Sequence, residues 1–215
     1  MTARDNILSR IRAAQGRNGA PGDAERDAVR AYIRAHPQGP RPASGQERVA
    51  YFRERVLSLA STWDEVGAQA EVPAATAKYL RANGLPRRAV CWPEFMEHDW
   101  AGSGMEIEVR NACGDDLVGV TGVFCAIAET GTLMMTSGPR TPAAASLLPE
   151  THIAVVSASR IVRGMEDAWE LLRAEIGTMP RAVNFISGPS RTADIEQTVT
   201  LGAHGPYRVH IILVP

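Results

Sequence analysis

The sequence has few cysteines, no long apolar run and almost no net charge, and each shortage excludes a class of protein. The three cysteines form no Cys-x-x-Cys pair, so neither a zinc site nor an iron–sulfur cluster built on paired cysteines is encoded. No apolar run approaches the roughly 20 residues that cross a bilayer. The N-terminus lacks the apolar stretch of a signal peptide, so we expect a cytoplasmic protein. A net charge of −1 argues against a nucleic-acid binder that relies on an overall positive field.

The remaining composition is that of an ordinary globular protein. The chain has 215 residues, of which 45% are hydrophobic and 22% are charged. Apolar spacing predicts short helices over residues 2–14 and 23–35, and a Pro/Gly-rich stretch at 36–42 follows them. We therefore predict a helical N-terminal appendage with a linker over residues 1–44 and one α/β domain over residues 45–215.

Helical and strand patterns alternate through the predicted domain. Near-continuous Val/Ile runs indicate strands covered on both faces. The alternation predicts an α/β fold with a mostly parallel sheet and helices on both of its faces. Helices are predicted over 46–58, 73–81, 120–127, 165–176 and 191–201, and strands over 66–72, 88–92, 133–136, 152–156, 183–187 and 209–214.

Three glycine-containing turns carry the polar groups that suit a binding site. In the first, Ala128–Thr132, the glycine permits a positive φ beside the carboxylate of Glu129. In the second, Ser187–Thr192, we expect a strand to run into a helix, so that hydroxyls, N–H groups and Arg191 meet an anion at the carboxyl end of a parallel strand. In the third, His204 precedes Gly205 and could titrate near neutral pH.

Each turn also has a purely structural explanation. The first is compatible with a turn whose threonines bond the local backbone, and the second with a capped helix in which Asp194 or Glu196 pairs with Arg191. A loop histidine can simply hydrogen-bond its surroundings. None of the turns matches a phosphate-binding Gly-x-x-x-x-Gly-Lys loop, a dinucleotide-binding motif or a Gly-x-Ser-x-Gly nucleophile elbow, and no histidine has metal-ligand spacing.

Taken together, the motifs resemble those of the lactate utilization protein C family, whose members carry a LUD domain. The resemblance rests on Ala-Glu-Thr-Gly-Thr at 128–132, Ser-Leu-Leu-Pro at 146–149 followed by His-Ile-Ala-Val-Val, Ser-Gly-Pro-Ser-Arg-Thr-Ala-Asp-Ile-Glu at 187–196, and His-Gly-Pro at 204–206. It spans residues 45–215 and is densest from 117 onward.

The resemblance implies a fold like that of the NagB/RpiA/CoA-transferase-like superfamily. It also implies a part in the oxidation of L-lactate to pyruvate, together with partner proteins that carry iron–sulfur clusters. This chain encodes no cofactor of its own, so electron transfer would pass through those partners. By analogy with the superfamily, Glu129 would be the residue to test as a nucleophile or a base.

These observations favour an accessory component of a lactate-oxidation system that binds a small carboxylate or phosphorylated ligand. Two alternatives remain: an independent enzyme of the CoA-transferase or sugar-phosphate isomerase type, and a module that senses a carboxylate. Glu129 and His204 are the candidate catalytic residues. The predicted ligand-binding residues are Thr130, Gly131, Thr132, Ser187, Gly188, Pro189, Ser190, Arg191, Thr192, Asp194 and Gly205, and no metal ligand is predicted.

Overall fold

A computed structural model describes residues 2–17, 19–42, 47–193 and 199–215. The chain forms two compact units, Met1–Arg41 and Pro42–Pro215. The boundary predicted between residues 44 and 45 lies outside the described residues. None of the helices in the described ranges is long and apolar enough to cross a membrane.

The first unit consists of two helices, α1 (Ala3–Ala14) and α2 (Asp23–Ala35). Thr2 begins α1 with a capping box, in which its hydroxyl accepts from the N–H of Asp5 at 3.2 Å and its N–H donates to the Asp5 carboxylate at 2.9 Å. The helix α2 ends at His36, which adopts a left-handed conformation. No residue of either helix is buried, and both helices lie where apolar periodicity predicts them.

The second unit is built on a parallel sheet of six strands. In spatial order these are β1 (Thr62–Glu65), β12 (Arg208–Val214), β7 (Thr151–Ser157), β4 (Val118–Thr121), β2 (Arg88–Cys91) and β3 (Glu106–Glu108). Continuous Val/Ile runs make β7 and β12 buried along nearly their whole length.

Helices cover both faces of this sheet. Val120 and His210 both pair with Ile153, so their side chains lie on the same face of the sheet. Gly119 precedes Val120 by one residue and therefore faces the other side of the sheet. On the first face, α4 (Val72–Ala82) stacks Tyr79 on the ring of His210, with centroids 3.9 Å apart. On the other face, α5 (Ala144–Leu147) packs so close that a Cβ at Gly119 would overlap a carbonyl of the helix. The predicted α/β class with a mostly parallel sheet is confirmed.

A second sheet of four strands carries two of the three glycine turns. Its order is β8 (Ile161–Val162), β5 (Cys125–Ile127), β6 (Thr132–Thr136) and β9 (Val183–Ile186). Both neighbours of β6 run antiparallel to it, and α6 (Met165–Ile176) packs on a small core formed with this sheet. The helix α3 (Arg48–Ser58) and a short hairpin of β10 (Arg191–Thr192) and β11 (Thr200–Leu201) complete the unit.

Three of the predicted elements are wrong. Residues 120–127 form the end of β4, a loop over 122–124 and the strand β5, because apolar residues of two strands and the loop between them happen to share helical spacing. The strand predicted over 66–72 lies earlier, at 62–65, and the predicted segment contains a short 3-10 helix, Gln69–Glu71, and the start of α4. Residues 191–192 and 200–201 pair as strands instead of opening and closing a helix.

Candidate functional site

The first two glycine turns both close on the C-terminal end of α3. Gly131 has a φ of +64°, and a Cβ there would lie 2.9 Å from the backbone of Arg55. Gly188 has a φ of +84°, and a Cβ there would lie 2.6 Å from the carbonyl oxygen of Leu59. Both positions combine a left-handed backbone with a close approach to a helix, which is why only glycine fits without strain.

A chain of hydroxyl groups joins these two turns. The Oγ1 of Thr130 lies 2.7 Å from the Oγ1 of Thr132, which in turn lies 2.7 Å from the Oγ of Ser187. The strand pairing makes this possible, because β6 and β9 are antiparallel with Leu133 beside Ile186, so the residue before Leu133 and the residue after Ile186 lie at the same end of the sheet.

Hydrogen bonds around Ser190 join the second turn to the third. The N–H of Ser190 donates to the carbonyl of Pro206 at 2.9 Å, and its carbonyl accepts from Gly202 at 2.9 Å. Its hydroxyl accepts from the N–H of His204 at 3.3 Å. All three turns, which are far apart along the chain, therefore meet in one region of the structure.

A cavity of about 410 Å³, here called the turn cavity, opens beside the second and third turns. Arg191 is exposed at its wall and donates to the carbonyl of Leu59 at 3.3 Å. Among the described residues that line the cavity, Arg191 carries the only formal charge. The lining consists of Leu59, Leu147, Phe185, Ile186, Ser187, Gly188, Pro189, Ser190, Arg191, His204, Gly205 and Pro206.

The remaining predicted residues lie outside the lining of the turn cavity. Thr130 and Thr132 connect to it through the hydroxyl of Ser187, and Gly131 lies between them in the chain. Thr192 pairs with Thr200 in the β10–β11 hairpin. Asp194 lies outside the described residues.

Glu129 lies next to the first residues of α6 in space, although it is distant from them in the sequence. Its N–H donates to the carbonyl of Arg163 at 3.0 Å, and a Cβ at Gly164 would lie 2.8 Å from its Oε2. The carboxylate thus lies near the N-terminus of α6 and outside the lining of the turn cavity. The two candidate catalytic residues are thus separated, since only His204 lines the turn cavity.

The position of the turn cavity in the fold differs from the expected one. Arg191 begins a hairpin strand, so it does not lie at a helix N-terminus. The strand before the second turn, β9, belongs to the small sheet and is antiparallel to β6. Because Leu147 precedes β7 and Pro206 precedes β12, the cavity lies beside the amino-terminal edge of the six-stranded sheet instead of its carboxyl edge.

The chemistry of the turn cavity suits a small anion with an apolar part. A guanidinium offers parallel hydrogen bonds to a carboxylate, and the hydroxyls of Ser187 and Ser190 add donors. Leu59, Leu147 and Phe185, none of which the sequence analysis identified, supply apolar walls. No group of three or more metal-ligating side chains occurs among the described residues.

Comparison with known proteins identifies the family. The model of the LUD domain matches residues 97–214, which is more than half of the chain. The chain belongs to the LUD domain family. The match includes all three glycine turns, and the resemblance found in the sequence motifs is confirmed.

Several relatives of this LUD domain protein carry the name Lactate utilization protein C. That of Deinococcus radiodurans is 34% identical over 185 residues, which are 81% of this chain and 83% of the relative. That of Bacillus subtilis is 41% identical over 100 residues, which are 45% of this chain and only 42% of the relative. A crystal structure of a DUF162 family protein from Deinococcus radiodurans superposes with a TM-score of 0.60 at 27% identity, covering 81% of this chain and 100% of that one.

Proposed function

We propose that this protein is a cytoplasmic component of a system that oxidises L-lactate to pyruvate, and that it binds a small carboxylate in the turn cavity. The names of its relatives support the role in lactate utilization. The observation that carries the ligand class is Arg191, the one charged side chain among the described residues that line the cavity. We assign electron transfer to iron–sulfur partner proteins, because the chain has no paired cysteines.

Within the proposed complex, this chain binds the ligand, and the partner proteins transfer the electrons. A carboxylate bound to Arg191 would place its neighbouring carbon near the hydroxyls of Ser187 and Ser190 and near His204. His204 is then the candidate base for a proton on the ligand. Glu129 lies next to the first residues of α6, so its position does not favour a nucleophilic role in the same cavity.

The test of the ligand class is a thermal-shift titration of the full chain with lactate, pyruvate and phosphate. A ligand at 100 times its dissociation constant stabilises a protein by about 2.7 kcal/mol, which such a titration detects. We expect a shift with lactate or pyruvate that Arg191→Ala abolishes and Arg191→Lys weakens. Arg81→Ala, at an exposed site on α4, serves as the control and should keep the shift. Equal shifts in the wild type and Arg191→Ala would refute the assignment.

The test of the physiological role is complementation. A strain that lacks the gene should lose lactate-dependent dye reduction in its lysate, and the wild-type gene should restore it. The Arg191→Ala gene should restore it only in part. Unchanged lactate oxidation in the deletion strain would refute the proposed role whatever the ligand titration shows.

A further inference from the structure

A second cavity lies at the opposite edge of the six-stranded sheet. Its volume is about 250 Å³, the space that roughly eight water molecules occupy in the liquid. It opens between the segments that follow β2 and β4, beside the end of β7. We call it the carboxyl-edge cavity, and its lining consists of Gln69, Glu94, Phe95, His98, Gly122, Val123, Val155, Ser157 and Arg160.

The position of this cavity is one where open α/β sheets bind ligands. The chain after β2 leads to β3 on one side of β2, whereas the chain after β4 leaves this sheet and returns to it as β7 on the other side of β4. The connections after β2 and β4 therefore diverge at this point and leave a crevice at the carboxyl ends of the strands.

Glu94 is held against the backbone of the loop after β4. The backbone of Gly122 lies against its carboxylate. A Cβ at Gly122 would overlap the Oε1 of Glu94, so the absence of a side chain there is what lets the carboxylate reach the backbone. Although much of the Glu94 side chain is exposed, burial of its carboxyl group raises its pKa.

The cationic side chain that lines the carboxyl-edge cavity is already paired. Arg160 gives both terminal nitrogens to the carboxylate of Glu175, at 2.7 and 2.9 Å, and its Nε to the carbonyl of Phe124 at 2.8 Å. The guanidinium is therefore already paired, whereas the positive charge of Arg140 offsets only part of the effect of burial, which raises the pKa of Glu94. Glu94 repels an anion and the guanidinium of Arg160 is already paired, so a neutral hydroxylated ligand is favoured over an acid.

The hydrogen-bonding groups of the lining favour a ligand that carries hydroxyl groups. A carboxylate has about four lone-pair sites, so Glu94 can accept from two neighbouring O–H groups with the backbone of Gly122 against it. Gln69 adds an amide to the lining. Phe95, Val123 and Val155 supply an apolar wall for the C–H face of a ring.

We propose that the carboxyl-edge cavity binds a small neutral polyol, as a free sugar or as the ribose of a nucleoside, through two neighbouring hydroxyl groups that donate to Glu94. This site is separate from the proposed carboxylate site in the turn cavity. No lining residue is common to the two cavities.

The test is an NMR titration of the full chain, whose mass is 23.2 kDa. The probes are ribose, adenosine and 2′,3′-dideoxyadenosine, followed through the backbone amide of Gly122 and the side-chain amide of Gln69. We expect saturable shifts with ribose or adenosine and none with the dideoxynucleoside. Adenosine binding more tightly than ribose would assign the site to nucleosides, and equal affinity would assign it to free sugars.

Two variants examine Glu94 in different ways. Glu94→Gln removes the charge, and Gly122→Ala leaves the charge but pushes the carboxylate away from the backbone at a position where the only clash is with that flexible side chain. Both should weaken binding at least about tenfold, because hydrogen bonds to charged groups are among the stronger ones. Glu97→Gln, at an exposed residue of the same segment, should bind as the wild type does.

Several results would overturn this proposal. One is the absence of saturable shifts with both ribose and adenosine, and another is unchanged affinity in folded Glu94→Gln and Gly122→Ala proteins. Saturable shifts with lactate that Glu94→Gln abolishes would also overturn it, since they would make the site one for anions. Arg191→Ala should leave ribose and adenosine binding intact, so failure here is distinguishable from failure of the proposed function.

Discussion

The hydroxyl of Thr132 lies 2.7 Å from the hydroxyl of Ser187, and this contact fastens the turn between β5 and β6 to the segment after β9. Thr132 is only 2% exposed, and its hydroxyl also contacts Thr130. A valine would keep the shape of the side chain and remove both contacts. We expect Thr132→Val to lower the free energy of unfolding by about 1 kcal/mol in a urea titration.

The control for this variant is Thr136→Val at the other end of the same strand, where the side chain is half-buried. It should change the free energy of unfolding by less than Thr132→Val does. A Thr132→Val protein as stable as the wild type would show that the hydroxyl chain does not fasten the two turns.

Gly188 holds the second turn in a conformation that other residues rarely adopt. Its φ is +84°, and a Cβ would lie 2.6 Å from the carbonyl oxygen of Leu59. Gly188→Ala should therefore cost about 1–3 kcal/mol of stability in urea unfolding and should also weaken ligand binding in the turn cavity. Gly114→Ala is the matched control, since its Cβ would meet nothing within 4 Å and its φ is not positive. Equal stability of the two variants would contradict this explanation.

Two buried histidines should make the protein less stable in mild acid. Burial lowers the pKa of both His152 and His210 to about 4, from an ordinary value of 6.5. Between these two pH values the unfolded chain binds protons that the folded chain does not, so stability is greatest above pH 6.5 and falls as the pH decreases toward 4. Each histidine contributes about 3 kcal/mol to this loss.

The slope of stability against pH between 6.5 and 5 measures this effect, because few carboxylates titrate there. His210 contacts the hydroxyl of Thr62 at 2.8 Å and stacks on Tyr79, and His210→Gln should reduce the slope by about half. His36→Asn, at an exposed residue, should leave it unchanged. A wild-type protein whose stability does not vary over this range would contradict the lowered pKa values.

The three cysteines should differ sharply in reactivity. Burial raises the pKa of Cys91 to about 11 and that of Cys125 to about 12, whereas Cys113 is exposed. Because the thiolate is the reactive form, a disulfide reagent at pH 8 should modify one thiol in the folded protein and three in denaturant. Cys113→Ser should abolish the fast reaction. Rapid modification of Cys91 or Cys125 in the native protein would show that these sites open readily.

Local patterns in the sequence predicted the helices α1, α2, α3, α4 and α6 and the long buried strands β7 and β12. Each of these elements has an apolar periodicity or a continuous Val/Ile run of its own. The segment around Val120 and Ile127 misled the same method. There the pairing of β4 with β7 decides the structure, and it places Gly119 beside His152. A partner so distant in the sequence cannot be inferred from the spacing of nearby apolar residues.

The candidate site was predictable in its residues but not in its orientation. Ser187, Arg191 and His204 do line one cavity, because glycine turns brought them together. The direction of β9 depends on its partner β6, and an apolar run looks the same in a parallel and an antiparallel strand. Glu94 was missed for a similar reason, since its contact with Gly122 joins two segments that are separate in the sequence.

The strand β7 reaches from one edge of the main sheet to the other. Leu147, shortly before it, lines the turn cavity, and Ser157, its last residue, lines the carboxyl-edge cavity. Seven extended residues span roughly 20 Å, so this strand is a stiff spacer between two separate openings. A molecule bound in one opening would therefore leave the other accessible.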